Sequence, residues 1–255
     1  SGVAGRRVLS ALGAADHFTQ LHVWDHSPLA VDFAAAAARR QFPGLNVDAA
    51  PQTVIRGNEP VGLLLISHVL NELNPAARAE LDALVARAES VIWVEPGTHE
   101  VSRQLGAIRE TLRTPFNVVA PCTHGGPCGV FAPAHARDWC HFFAPPPSEI
   151  FATPDWVKFG QRAGIDLRSL PYAFFALDRS PVAPPPPDLS RIIGRPEHFK
   201  PYARFLNCDA SGLAELELLK RADPALYKQL DRTKAPLLYR WQRAGDKVTG
   251  GQPMA

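Results

Sequence analysis

The chain has 255 residues, 46% of them hydrophobic and 20% charged, with a formal net charge of +2. That supplies enough apolar material for one large or two small packed domains, and no apolar run reaches the ~18 residues that a membrane-spanning helix needs. No signal peptide is evident, with its charged start, apolar centre and small-residue cleavage site, so a soluble, cytoplasmic protein without a membrane partner is expected. The charge is uneven: residues 220–247 hold eight basic against three acidic side chains, leaving 19 basic and 22 acidic elsewhere. A basic tail on a mildly acidic body suits nucleic acid, and it suits a solvated helix face equally well.

In chain order, SGVAGRR places Gly2 and Gly5 ahead of a helix-like run, as at the end of a Gly-rich turn whose backbone approaches a ligand. With no strand before it, the chain reads as a fragment lacking its first strand. LHVWD (21–25) is a short strand closed by Asp25, and the Ala-rich helix after it has Ser27 as cap and Pro28 at its first position. VGLLLISHVL (61–70) is a continuous apolar run, the pattern of a strand buried on both faces. A helix capped by Asn74, the strand SVIWVEPG (90–97) and the helix THEVSRQLGAIRETLR follow. Such alternation predicts a mostly parallel sheet wrapped by crossover helices.

The second half is richer in Pro and Gly, with PPP at 145–147 and PPPP at 184–187 as stiff connectors. TPDWVKFGQRAGI reads as a short helix, LPYAFFALDRS as a strand, YARFLNCDASG as the last strand, and two short basic helices are expected to close the chain. The domain reading is an α/β core over 1–121, a Cys-rich insertion over 122–165, the last core strands over 166–215, and a basic helical tail over 216–255.

Asp25, ending a strand about twenty residues after the Gly pair, stands where an acid accepts hydrogen bonds from a bound nucleoside's ribose hydroxyls. The plainer reading is a turn acid ahead of a helix. Together with the strand ends at His68–Glu72 and Glu95–Gly97, the pattern resembles a class I S-adenosylmethionine methyltransferase, with a Rossmann-like sheet. That resemblance implies S-adenosylmethionine as cofactor, held by Gly2, Gly5, Asp25 and His68. His68, Asn71 and Glu72 are loose candidates for catalysis. The Asn/Asp-Pro-Pro-aromatic signature of base N-methylating enzymes does not occur there, and Glu72 suits an ordinary loop acid.

CTHGGPCGVFAPAHARDWCHF (122–142) gathers three of the four cysteines, and sixty-seven residues separate Cys140 from Cys208. No disulfide framework is expected in a reducing compartment. The close C-x₂₋₄-C pairs of zinc ribbons are absent, as are the tight ferredoxin steps. Four soft ligands converging in space fit an iron–sulfur cluster or a Cys₄ zinc, with Gly125, Gly126 and Pro127 letting the chain curl round the centre. Cys122 and Cys208, both following strand-like runs, are expected on adjacent strand ends. Free cysteines also serve as small buried hydrophobes. His124 and His141 suit replacement ligands, donors to sulfur or ordinary histidines, and adjacent Cys140 and His141 make a poor catalytic pair.

SGVAG, ISHVLNEL, VIWVEPGTHEVSRQLGAIRETL, VVAPCTHGGPC, DWCHF and RFLNCDASG together resemble the methyltransferase-like assembly factors of the mitochondrial small ribosomal subunit, the Rsm-type and methyltransferase-like protein 17 family with its bacterial relatives. The resemblance implies a 4Fe–4S cluster on Cys122, Cys128, Cys140 and Cys208, with the cluster type open against zinc. It also implies small-subunit ribosomal RNA, not DNA, as partner. In that case Lys228, Arg232, Lys234, Arg240 and Arg243 would meet phosphates, and Trp241 would either stack on a base or lie buried. An active RNA methyltransferase and a small-molecule methyltransferase with a structural zinc are the competing expectations.

Overall fold

The computed structural model describes residues 2–13, 17–231 and 237–254, and the chain divides into two compact units. Arg232 and Lys234 lie outside the described residues.

The first unit comprises Ser1–Ser67 and Leu73–Glu89. It contains α1 (Val3–Leu12), β1 (Gln20–Val23), α2 (Pro28–Gln41), β2 (Asn46–Ala49), α3 (Gln52–Arg56), β3 (Val61–Ser67) and α4 (Pro75–Arg87). Ser27 and Asn74 cap α2 and α4, each followed by proline, where the missing N–H costs nothing. β1 and β2 pair in parallel, joined through α2, and Arg39 donates to the Val47 carbonyl at 2.9 Å. Leu9, Ala35, Ala38, Leu45 and Val47 form the core. The run of alanines lets the helix lie close on the strand pair.

The second unit comprises His68–Glu72 and Ser90–Ala255. It runs through β4 (Ala88–Pro96), α5 (His99–Leu112), β5 (Asn117–Ala120), the cysteine loop with two single 3₁₀ turns (Gly129–Phe131 and Pro133–His135), β6 (Phe142–Phe143), α6 (Glu149–Ala152), α7 (Pro154–Ala163) and β7 (Pro171–Asp178). The remaining elements are β8 (Leu189–Phe199), β9 (Tyr202–Asp209), β10 (Gly212–Leu219), α8 (Pro224–Leu230), β11 (Leu238–Ala244) and β12 (Lys247–Pro253).

The mostly parallel Rossmann-like sheet expected from the sequence is not what forms. β7 pairs antiparallel with β4 on one side and with β5 on the other. β4 and β5 therefore run the same way, linked by α5, with an antiparallel strand inserted between them, and β6 adds a short antiparallel pair at the start of β7. Tyr172 at the start of β7 meets Pro96 at the end of β4. The α6–α7 excursion therefore delivers the chain to the same sheet end it left. Without a crossover back along the sheet, the strand must be antiparallel.

Of the two expected basic C-terminal helices one forms, over Pro224–Leu230, and the other is not seen among the described residues. β8 to β12 close a five-stranded barrel in the order β10-β12-β11-β8-β9. Four of its seams are antiparallel and the β10–β12 seam is parallel. Among the described residues of the tail only α8 is helical, and Leu226 and Leu230 plug it against a core of Ile192, Phe205, Leu216, Leu218, Tyr239 and Val248. The alternation of buried and half-exposed residues through β9 carries the period of two that a barrel wall requires. YARFLNCD is thus the second of five barrel strands and not the last strand of the chain. No helix among the described residues is long and apolar enough to cross a membrane.

Candidate metal centre

The cysteine loop is held from one side by a single helix. Thr98 caps α5, its hydroxyl accepting from the Val101 N–H. Ser102 and Arg103 then recur seven residues on as Arg109 and Glu110, two turns along one face. The Ser102 hydroxyl donates to the Cys140 carbonyl. Arg103 donates to the carbonyls of Val130, His135 and Asp138 at 2.8, 3.2 and 2.9 Å. Arg109, only 3% exposed, donates to Gly126 O at 2.6 Å and His124 O at 3.1 Å. Glu110 receives the Cys128 N–H at 3.1 Å and the Arg109 guanidinium at 2.5 Å. The loop has little regular structure of its own, so these side chains do for its carbonyls what a sheet would otherwise do.

The DWCHF segment is fixed by alternation. The Trp139 indole donates to Gly97 O at 2.8 Å, and Trp139 stacks on His141 at 4.7 Å. Phe142 is buried and pairs with Tyr172, while the His141 carbonyl accepts from Gly194 N at 2.8 Å. Gly194 has φ +70°, and a Cβ there would come within 2.9 Å of the His141 ring. His141 thus wedges the loop against the bend of β8. Gly129 does the same on β10, where a Cβ would meet Leu213 N at 2.6 Å.

All four cysteines line one cavity, with Pro121, Thr123, His124, Val130, Arg191, Ile193 and Leu213 completing its wall. Cys122, Cys128 and Cys140 come from the loop, and Cys208 faces outward from β9. The strand-end expectation is corrected in part. Cys122 lies just past β5, but β5 and β9 belong to different sheets, so the loop folds across from one to the other. The thiols are free. Among the described residues, no group of three or more His, Cys, Asp or Glu side chains is arranged to hold a metal ion.

The electrostatics are one-sided. Burial pushes the Cys140 thiol well above its ordinary range, reinforced by Cys122, Cys128 and Cys208 around it. Burial likewise pushes Cys208 up to about 12, and it raises Cys122 and Cys128, with Arg109 opposing the shift in both. Facing them is Arg191, whose charge burial disfavours and whose buried Nε has no partner among the described residues. His124 lies 3.7 Å from the Cys208 sulfur, its pKa lowered by burial and by Arg109. Burial and mutual repulsion thus favour the neutral form of all four thiols, which share their cavity wall with Arg191. Arg109 and Arg191 escaped the sequence reading. An arginine in the middle of an amphipathic helix and one on a strand carry no local sign of pointing inward.

The remaining candidates fall elsewhere. Gly2, at φ 63°, precedes α1, and Gly5 lies within that helix. Asp25 spends one carboxylate oxygen on Ser27 N at 2.9 Å, the turn role. His68 is left-handed at φ 58°. The segment after it is held by buried Glu95, which accepts from Val69 N, Leu70 N and the Trp93 indole, while Asn71 and Glu72 are exposed. In the tail, Arg240 pairs with Asp188 and Arg243 with Asp209. Trp241 stacks on Tyr239 at 4.2 Å and donates to Asn207, so it belongs to the barrel wall. Lys228 is exposed.

Residues 15–230 match the family model described as mitochondrial small ribosomal subunit Rsm22. The chain belongs to the Rsm22 family. Membership ties it to proteins named for the small ribosomal subunit and agrees with the resemblance carried by the PCTHGGPC and WCHF motifs. No curated protein matches the chain. A solved structure, Thermoplasma acidophilum 1320, is similar with a TM-score of 0.36 and 11% identity over 64% of this chain and 66% of that one, just under two thirds of its length.

Proposed function

We propose that this Rsm22-family chain is a factor that binds ribosomal RNA of the small subunit, and that Cys122, Cys128, Cys140 and Cys208 hold a 4Fe–4S cluster that clasps the loop to the barrel. The observation that carries the reading is one cavity lined by all four thiols, three from a loop and one from a barrel strand. The donor set is soft and without carboxylates, and Arg109 and Arg191 supply the positive charge that an anionic thiolate centre needs. When bound, such a cluster supplies bonds to four distant residues at once, which is folding free energy. The chain's own part is to hold the loop carbonyls through Arg103 and Arg109 and to screen the sulfurs with Val130, Ile193 and Leu213. Anaerobically purified protein should co-sediment with small ribosomal subunits and release them as salt rises. Association with large and small subunits alike, or none at low salt, would refute the ribosomal half.

Methyl transfer to RNA is the second reading, and its specific support is His68. A non-glycine residue held at φ 58° stores backbone strain of a kind that collects at functional sites. Labelled methyl passing from S-adenosylmethionine to small-subunit RNA, and lost in His68→Ala, is the expected result. No label in RNA under conditions where the protein binds the subunit would retire it.

A further inference from the structure

The barrel offers a second site, away from the cysteines. Counting its strands from β8, the order around the wall is 1-2-3-5-4-1, strands 3 and 5 pair in parallel, and the helix lies between strands 3 and 4. That is the topology of the oligonucleotide- and oligosaccharide-binding barrel, whose ligands cross the face of strands 2 and 3 between the 1–2 and 4–5 loops. Topology alone assigns no ligand. The side chains on that face do.

Strands 2 and 3 are β9 and β10, and the outer face they share has two different ends. At the end where Cys208 opposes Leu213, the cysteine loop covers it, with Gly129 pressed onto Leu213. The other end stays open. There the β8–β9 turn carries Lys200 and Pro201, and the Pro201 carbonyl accepts from Lys220 N at the end of β10. The β11–β12 turn closes on the same strand end, with Asp246 O accepting from Glu217 N. On this rim Phe199, 38% exposed, stacks on Tyr202 at 4.7 Å and 22°. Tyr227 donates to the Phe199 carbonyl, and the Lys220 ammonium lies 5.5 Å from its ring.

The charges around this aromatic platform sum to zero, but three of the cations stand without an acidic partner among the described residues. Arg204, 5.4 Å from the Phe199 ring, is balanced by Glu197 and Glu215, and Lys247 by Glu217 and Asp246. Asp223 caps α8. Lys200, Lys220 and Arg221 are exposed and have no acidic partner among the described residues. Stacked, solvent-facing rings beside unpaired cations are the chemistry that takes unpaired bases with their phosphates. A duplex hides its base faces and gives such rings nothing to stack on.

We infer that the rim formed by Phe199, Tyr202, Lys200 and Lys220 is a binding site for single-stranded RNA. The inference rests on the ribosomal-RNA reading and names the kind of RNA and the surface that takes it. The cysteine loop then closes one end of the barrel face and the RNA crosses the other.

The test is anisotropy of a labelled single-stranded RNA of about 12 nucleotides, and of the same strand in duplex, over a salt series with full-length cluster-loaded protein. The single strand should bind more tightly than the duplex. Phe199→Ala with Tyr202→Ala should weaken it by about 10-fold or more, and Lys200→Glu with Lys220→Glu should lower the salt slope by about 2. The lysine pair is exposed and its replacement spares the fold, so it decides the matter even where the aromatic variant is unstable. Equal binding of duplex and single strand, or unchanged affinity and slope in the lysine variant, overturns the inference. If those variants bind oligonucleotide like wild type while the protein still sediments with small subunits, only this surface is refuted. If wild type binds neither RNA nor subunit, the ribosomal reading falls with it.

Discussion

If the four cysteines hold the proposed cluster, Cys208→Ser is expected to lose it while leaving the barrel folded. Cys208 is partly buried on the outer face of β9, beneath the cysteine loop, its neighbours Asn207 and Asp209 pointing inward, so the barrel core does not use its sulfur. Serine matches its shape, but its hydroxyl does not ionise to a soft ligand. Iron and acid-labile sulfide in anaerobically purified protein should fall to background, with loss of the broad visible absorption of a cluster. Cys140→Ser should do the same, and both should make the loop at 122–140 more open to protease while β8 to β12 stay protected, since on this proposal the cluster adds to the contacts that join loop to strand. Full iron retention in Cys208→Ser would remove the distant cysteine from the ligand set. Colourless wild-type protein with stoichiometric zinc would replace the cluster by a zinc site.

That the four cysteines gather round one cavity was legible in the sequence, because thiols are rare in this chain and their clustering needs no knowledge of the fold. What the sequence did not carry was the sheet that presents them. PYAFFALD is apolar and alternating, and it follows a helix just as a parallel strand would. Its direction is decided by where α6 and α7 return the chain, next to Pro96 at the end of β4, and no residue in the strand records that. The barrel was missed for a related reason. LYRWQRA and KVTGGQP read as basic segments because Arg240, Arg243 and Lys247 sit on them, but those charges lie outside the wall while Tyr239 and Val248 turn inward. Net charge describes a surface and is silent about whether a helix or a strand carries it.

Capping was legible for the opposite reason, since it is local. Ser27 and Asn74 each accept the hydrogen bond their positions predict. Arg191 marks the limit of such reading: it lines the same cavity as the loop thiols from about 50 to 70 residues away in sequence, and only the closed barrel brings it there.

Arg109→Ala should cost about 3 kcal/mol of stability, the largest loss of any single arginine on α5. The side chain is buried, and burial opposes its charge, yet Cys122 and Glu110 more than offset that and raise its pKa. Truncation orphans the carbonyls of Gly126 and His124 and leaves Glu110 with the Cys128 N–H at 3.1 Å and Arg113 at 3.3 Å. Each unmet polar group carries its own desolvation cost. Arg109→Lys keeps the charge but loses the fork that spans two carbonyls and a carboxylate, so it should recover less than half of the loss. Arg113→Ala removes only a part-exposed ion pair and should stay within about 1 kcal/mol of wild type. Urea unfolding of the three variants, with unchanged slopes, measures the ranking. Because Arg109 sets the turn between Cys122 and Cys128, its alanine variant should also load less iron than Arg113→Ala at equal folded fraction. An Arg109→Ala protein as stable and as fully loaded as wild type would show that the loop needs no clamp, and that the cysteines alone set its shape.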